Sequence, residues 1–324
     1  MPSPVTISET KGIATSTVAK RDTYRFFLYR LNKEYRDDLF TSKSVEGRSD
    51  DEWIKLFLRE ACSSEYDYTK TTLKATHTWS LRSYQDLDDK FSCVTLARSQ
   101  ISKTATIVTD DSVEIGASIS SPPPAETIVL LIMWSRHIVA VENRAGMTTG
   151  ETWLRNFDTI IERAKLQLDI PIAPALEPIP LKGTILTQLA SFDRIFKFKV
   201  RLKLPNPELN RWAEYIYNEM VKEDLTEYLQ EFVSPTGIRK DESSKAYSSA
   251  ALAELGYKEG GVQIDGEKDG RRVQVHEGKT ALTGRVDQLR SLIRGLATNA
   301  RGVQLPKALE QIEEEINRLF PHEG

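Results

Sequence analysis

The chain has 324 residues, 40% of them hydrophobic and 28% charged, with a net charge of −3. That balance is globular and allows one large domain or two to three smaller ones. It excludes a polycation that coats nucleic acid by bulk charge, so any anion-binding role must come from local clustering.

Two cysteines, Cys62 and Cys93, are too few for a disulfide framework or a cysteine-based zinc centre. Residues 1–20 are polar and read as a flexible N-terminus, without the basic start and apolar core of a signal peptide. The longest apolar run, Ile128–Trp134, is far shorter than the about 20 residues that span a bilayer. The expectation is a cytoplasmic protein with no membrane insertion.

In chain order, 23–31 (TYRFFLYRL) predicts a strand and 50–62 a short helix with Trp53, Ile54, Leu56, Phe57 and Ala61 near helical spacing. Segments 72–81, 91–97 and 112–119 predict strands. After the break SSPPPAE, the runs IVLLIMW and HIVAVEN predict a hairpin around Ser135-Arg136, which is poor chemistry for a two-residue turn. Thr148 and Glu151 match a capping box, ahead of a helix with Leu154, Phe157, Ile161, Ala164 and Leu168 on one face.

The proline-rich stretch 171–183 predicts an extended linker between an N-terminal domain, 21–170, and a C-terminal domain, 184–280. Residues 208–233 read as mainly helical, with an acidic outer face that includes Glu227 and Glu231. Segment 243–257 predicts a helix ended by Gly256 as the C′ glycine. Segment 260–278 predicts two strands around DGEKDG, with Val262 and Ile264 facing Val273 and Val275. The last segment, 281–324, predicts two helices. One carries Val286, Leu289, Ile293, Leu296 and Ala297 inward. The other starts at Pro306 with Leu309, Ile312, Ile316, Leu319 and Phe320 on one face. The fold class is therefore α+β, two domains of mainly antiparallel sheet flanked by helices, with a helical C-terminus.

No GxxxxGK[ST], GxSxG, HExxH or CxxC occurs, and His77, His137, His276 and His322 lack ligand spacing. The expectation is a non-enzyme with no catalytic residues, no metal and no cofactor. Asp265, Glu267 and Lys268 offer a metal-nuclease alternative, but they fall in the expected hairpin turn, where Asp and Gly are ordinary turn formers.

The sharper signal is electrostatic. FKFKVRLKL (196–204) alternates apolar and cationic residues, so a strand there has one wholly cationic face. Arg194, Lys197, Lys199, Arg201 and Lys203 lie in a stretch with no acid. Segment 271–301 adds Arg271 and Arg272 and carries a local excess of five positive charges, with Lys279, Arg285, Arg290, Arg294 and Arg301 against Glu277 and Asp287. Lys and Arg on phosphates supply sequence-independent nucleic-acid affinity. The competing explanation is a solvated sheet face. The candidate nucleic-acid-binding residues are Arg194, Lys197, Lys199, Arg201, Lys203, Arg271 and Arg272.

ETIVLLIMWSRHIVAVEN, MTTGETWLRNFDTII, the proline-rich link, a cationic strand ending in PNP, SPTG, a helix ending in LGY and DGEKDGRRVQV follow one another in order. Over roughly 115–278 this arrangement resembles the RexA-type phage-exclusion proteins and related bacterial phage-defence proteins. The resemblance implies an intracellular protein that binds DNA, in preference to RNA, without strong sequence preference. It also implies action through an effector partner, and it brings no catalytic residues. The acidic 208–233 segment and the net charge depart from a DNA binder and leave open a protein-interaction or oligomeric sensor subunit. In that reading the last helix packs on its own domain or on a second chain as a homodimer, or two basic stripes pair across a twofold axis.

Overall fold

The apolar run that dominates the sequence lies at the centre of the molecule. The computed structural model describes residues 22–35, 48–108, 111–203, 227–278, 280–298 and 302–321, with scattered positions between 216 and 225. In it, Ile128–Met133 belongs to strand β6 (Ala125–Met133), and each of those side chains is buried. Ile128, Leu130 and Ile132 enter one core, while Val129, Leu131 and Met133 enter another on the opposite face. A strand covered on both faces has no water-facing side, so its sequence runs apolar without alternating.

Around β6 stands a nine-stranded sheet. Its other members are β1 (Tyr24–Tyr35), β2 (Tyr68–Thr71), β3 (Ala75–Asp86), β4 (Phe91–Val108), β5 (Val113–Ile119), β7 (Ile138–Glu142), β8 (Ile172–Pro178) and β13 (Thr283–Val286). The order is β13-β1-β7-β6-β4-β3-β2, with β5 beside β4 and β8 beside β1. One face is covered by α1 (Asp50–Glu60), capped by a Ser49–Glu52 capping box, and by α2 (Thr152–Gln167). The other is covered by α5 (Arg290–Gly295) and α6 (Leu305–Leu319).

A second sheet has the order β10-β9-β11-β12, from β9 (Arg194–Lys203), β10 (Glu227–Val233), β11 (Lys258–Lys268) and β12 (Arg271–Glu277). Its inner residues Ile195, Phe198, Val200, Leu202, Val262 and Ile264 form a third core with α3 (Thr184–Ser191), α4 (Lys245–Glu254), Ile216 and Met220. The strand pairings in both sheets are antiparallel, which makes the fold α+β.

Several segments differ from the sequence expectation. The proline-rich stretch is not a linker: it contains β8, which pairs with β1 from Tyr29–Pro178 to Tyr35–Ile172. Pro174 and Pro178 are tolerated there because, among the described residues, β8 bonds to β1 alone, and a ladder-less side needs no donor. The segment after 280 begins with strand β13 on the edge of β1, and Gln288, at φ 63°, turns the chain before α5. Lys279 and Arg301 lie outside the described residues.

Thr148 caps no helix: its hydroxyl accepts from the Arg144 N–H and donates to the Arg144 carbonyl, and α2 begins at Thr152. The Ser135-Arg136 connection is a 3₁₀ turn, Trp134–Arg136, closed by His137 in the left-handed region. The hairpin turn after β11 is Asp269-Gly270, with φ 52° and 70°, the pattern of a type I′ turn. The last helix buries Leu309, Ile312 and Ile316 against its own sheet, so that stripe is not a free dimer surface.

The two sheets meet along β1. Arg30 Nε donates to the Leu255 carbonyl at 2.9 Å, and Asn32 Nδ2 donates to Gly256 at 3.1 Å. Lys258, fully buried, pairs with Glu177 at 3.3 Å. A Cβ on Gly256, at φ 88°, would stand 2.7 Å from the Arg30 Cβ, so glycine serves both the turn and the close approach.

Candidate functional site

The outer face of the four-stranded sheet brings most of the sequence-predicted residues together. Alternation along β9 puts Lys197, Lys199 and Arg201 outward, with Phe198, Val200 and Leu202 inward. A register shift between Asp265 and Gly266 turns Ile195 into the core and leaves Phe196 half-buried, with the Arg272 guanidinium 5.5 Å from its ring centre. Register places Arg194 and Arg272 on either side of Glu267. Lys203 is buried at the far end, and Arg271 is exposed at the turn into β12.

The acids of this face were missed as its members. Glu227 and Glu231 are not on a helix but on β10, where register sets Glu231 opposite Lys199 and Glu227 opposite Lys203. Glu208, Glu214, Glu219 and Asp224, expected on the same helix, lie outside the described residues. Glu231 contacts Lys197 at 2.7 Å and Lys199 at 3.5 Å. Arg201 contacts Glu259 at 3.4 Å and Glu227 at 3.8 Å. Lys203 pairs with Glu227, with Glu259 at 3.3 Å and with Glu34 of β1 at 3.6 Å. Asp265 receives Arg272 at 3.2 Å.

These pairs set the local protonation. The Lys197 hydrogen bond, with Lys199 behind it, holds the Glu231 carboxyl below its ordinary range. Burial works against the Lys203 ammonium, but the hydrogen bond to Glu227 and the charges of Glu259 and Glu34 outweigh it and raise its pKa. The cationic strand is thus the middle of a ladder of alternating sign, and carboxylates nearly match cations across the face. Among the described residues, neither Arg194 nor Arg271 makes an ion pair, so unmatched charge is confined to the corner where β9 starts and β12 begins.

Apolar side chains stand among the charges. Leu229 and Val233, outward on β10, are exposed. Asp265 and Glu267 are strand residues and not turn residues, and Asp265 is committed to Arg272. Among the described residues, no group of three or more His, Cys, Asp or Glu side chains is placed to hold a metal ion. No helix among them is long and apolar enough to cross a membrane.

No protein-family model matches the chain, and no curated protein matches it.

Proposed function

We propose that the protein is a non-catalytic phage-defence component that acts by binding a protein partner on the outer face of the four-stranded sheet. The ion-pair ladder carries this reading. A phosphate backbone gains affinity when cations replace its condensed counterions. On this face Glu231, Glu227 and Glu259 already occupy Lys197, Lys199 and Arg201. Charges of alternating sign fix the orientation and register of a complementary protein surface. Leu229, Val233 and Phe196 supply apolar area between them. The defence setting and the cytoplasmic location follow the RexA-type resemblance of 115–278.

A photo-crosslinking residue at Val233, in cells challenged with phage, tests this. The expected result is one discrete protein adduct that Leu229→Glu, combined with the crosslinker at 233, loses, while Leu229→Glu/Val233→Glu, without the crosslinker, loses phage protection. Full protection by that double variant would overturn the reading.

A second reading keeps nucleic acid, double-stranded DNA ahead of RNA, as the ligand. The corner where Arg194 and Arg271 are unmatched and Arg272 is shared between Asp265 and the Phe196 ring favours it. It predicts a sequence-tolerant gel shift that weakens steeply with salt and is lost in Arg194→Glu/Arg272→Glu. No shift at low salt would sink it.

A further inference from the structure

Strand β5 leaves the body of the large sheet. It pairs with β4 alone, from Ser102–Ile119 to Val108–Val113, and its other edge meets no strand among the described residues. Residues directly opposite in an antiparallel pair share a face. One face of this arm therefore carries Val108, Val113, Ile115, Ala117 and Ile119 beside Ser102, Thr104 and Thr106, with no charge. Val108 is 81% exposed, Val113 67%, Ile115 81% and Ile119 73%. A two-stranded ribbon with this much apolar surface is marginal in water and calls for further strands.

The free edge of β5 lacks the usual protection. Edge strands are kept apart by shortness, charge, proline or bulges. β2 is four residues long with Lys70; β10 carries Glu227 and Glu231; β12 carries Arg271 and Arg272; β13 is four residues long with Arg285. β5 is seven residues long, keeps a continuous register with β4, contains no proline and has one charge, Glu114.

We propose that β5 pairs antiparallel with β5 of a second copy of this chain, across a twofold axis at Gly116, joining two large sheets into one. The strand is complementary to itself in that register. Val113 meets Ile119 of the second copy, Ile115 meets Ala117, and the two Gly116 residues meet without side chains at the axis. Glu114 meets Ser118 of the second copy, so no like charges face each other.

Charge also matches. On β4, Lys103 stands opposite Ser118 of its own chain. In the joined sheet, the row runs Lys103, Ser118, then Glu114 of the second copy. The outer two are about 9.6 Å apart in backbone terms, with only a serine between them, and long side chains span that gap. Within one chain their rows are about 13 Å apart along the strand, so the ion pair forms only between copies, twice per dimer.

Analytical ultracentrifugation of the full chain at micromolar concentration tests this. The expected result is a dimer. Gly116→Cys, at the twofold axis of the paired strands, should give a disulfide-linked dimer under oxidising conditions. Lys103→Glu and Glu114→Lys should each weaken dimerisation about tenfold, and the double swap should restore it. A monomeric wild type, a dimer that Gly116→Cys does not cross-link, or a double swap no tighter than the single variants would each overturn the proposal. The sheet-face partner is untouched by these variants, so the two ideas fail separately.

Discussion

The guanidinium carbon of Arg30 lies 4.4 Å from the centre of the Tyr257 ring, and this stack joins the first strand of the large sheet to the start of β11. Arg30 also donates to the carbonyls of Leu255 and Arg136, both in buried or half-buried surroundings. A planar cation that stacks and donates in several directions at once is work for arginine and not for lysine.

Gly256→Ala should break this joint. The new methyl would meet the Arg30 Cβ at 2.7 Å and Ile179 Cγ1 at 3.2 Å, at a φ of 88°. Strain and collision together should cost about 3 kcal/mol. Thermal unfolding of the variant measures it, and an unchanged Tm would show that the junction yields without cost.

Ile312→Ala should destabilise by about 3 kcal/mol through the cavity it leaves. Ile312 is fully buried between α6 and the large sheet. Sedimentation of the variant should match the wild type. A change in oligomeric state with unchanged stability would make α6 an interface instead.

Glu142 gives a pH prediction. Burial pushes its carboxyl up, and the Val129 N–H with Arg294, Arg144 and Arg290 offsets this only in part. A carboxyl with a raised folded pKa binds its proton more tightly in the folded chain. Its effect is therefore a loss of stability as pH rises from the unperturbed glutamate value of about 4.3 through the raised one. Glu142→Gln, which resembles the protonated form, should melt above the wild type at neutral pH. The advantage should vanish below about pH 4. A lower Tm at neutral pH would mean that the arginines around Glu142 dominate.

Glu231→Gln should release Lys197 and Lys199 with little effect on folding, since all three groups are solvent-accessible. Retention on a DNA column should rise and become more salt-sensitive than the wild type. Equal retention would show that the ladder acid is not what limits phosphate contact.

Much of the architecture was legible because burial leaves a pattern, an unbroken apolar run where both faces are covered and a periodic stripe where one is. The run at 128–133 and the stripe of α6 follow directly from which faces are covered. The candidate face was half legible. Its cations alternate with apolar residues over β9 and admit one reading. Glu227 and Glu231, with Tyr228 and Phe232, are spaced by four, and a spacing of four shares a face on a helix and on a strand alike. Only pairing with β9 decides between them, and pairing is not a local property of YLQEFV. The β13 edge strand was hidden similarly, because Leu289, Ile293 and Leu296 do point inward at helical spacing just beyond it.

The polar seam along β1 also bears on how the chain comes apart. Arg30, Asn32 and Glu34 alternate along a strand hydrogen-bonded on both sides at Tyr29 and Arg30, and they reach Leu255, Gly256 and Lys203. Peeling the small sheet away would strip the buried Arg30 guanidinium of its Leu255 acceptor and bare the Lys258 ammonium with Glu177. Partial opening is thus penalised at its first step, so both sheets should melt in a single cooperative transition, with the slowest-exchanging amides of either found where β1 crosses the seam.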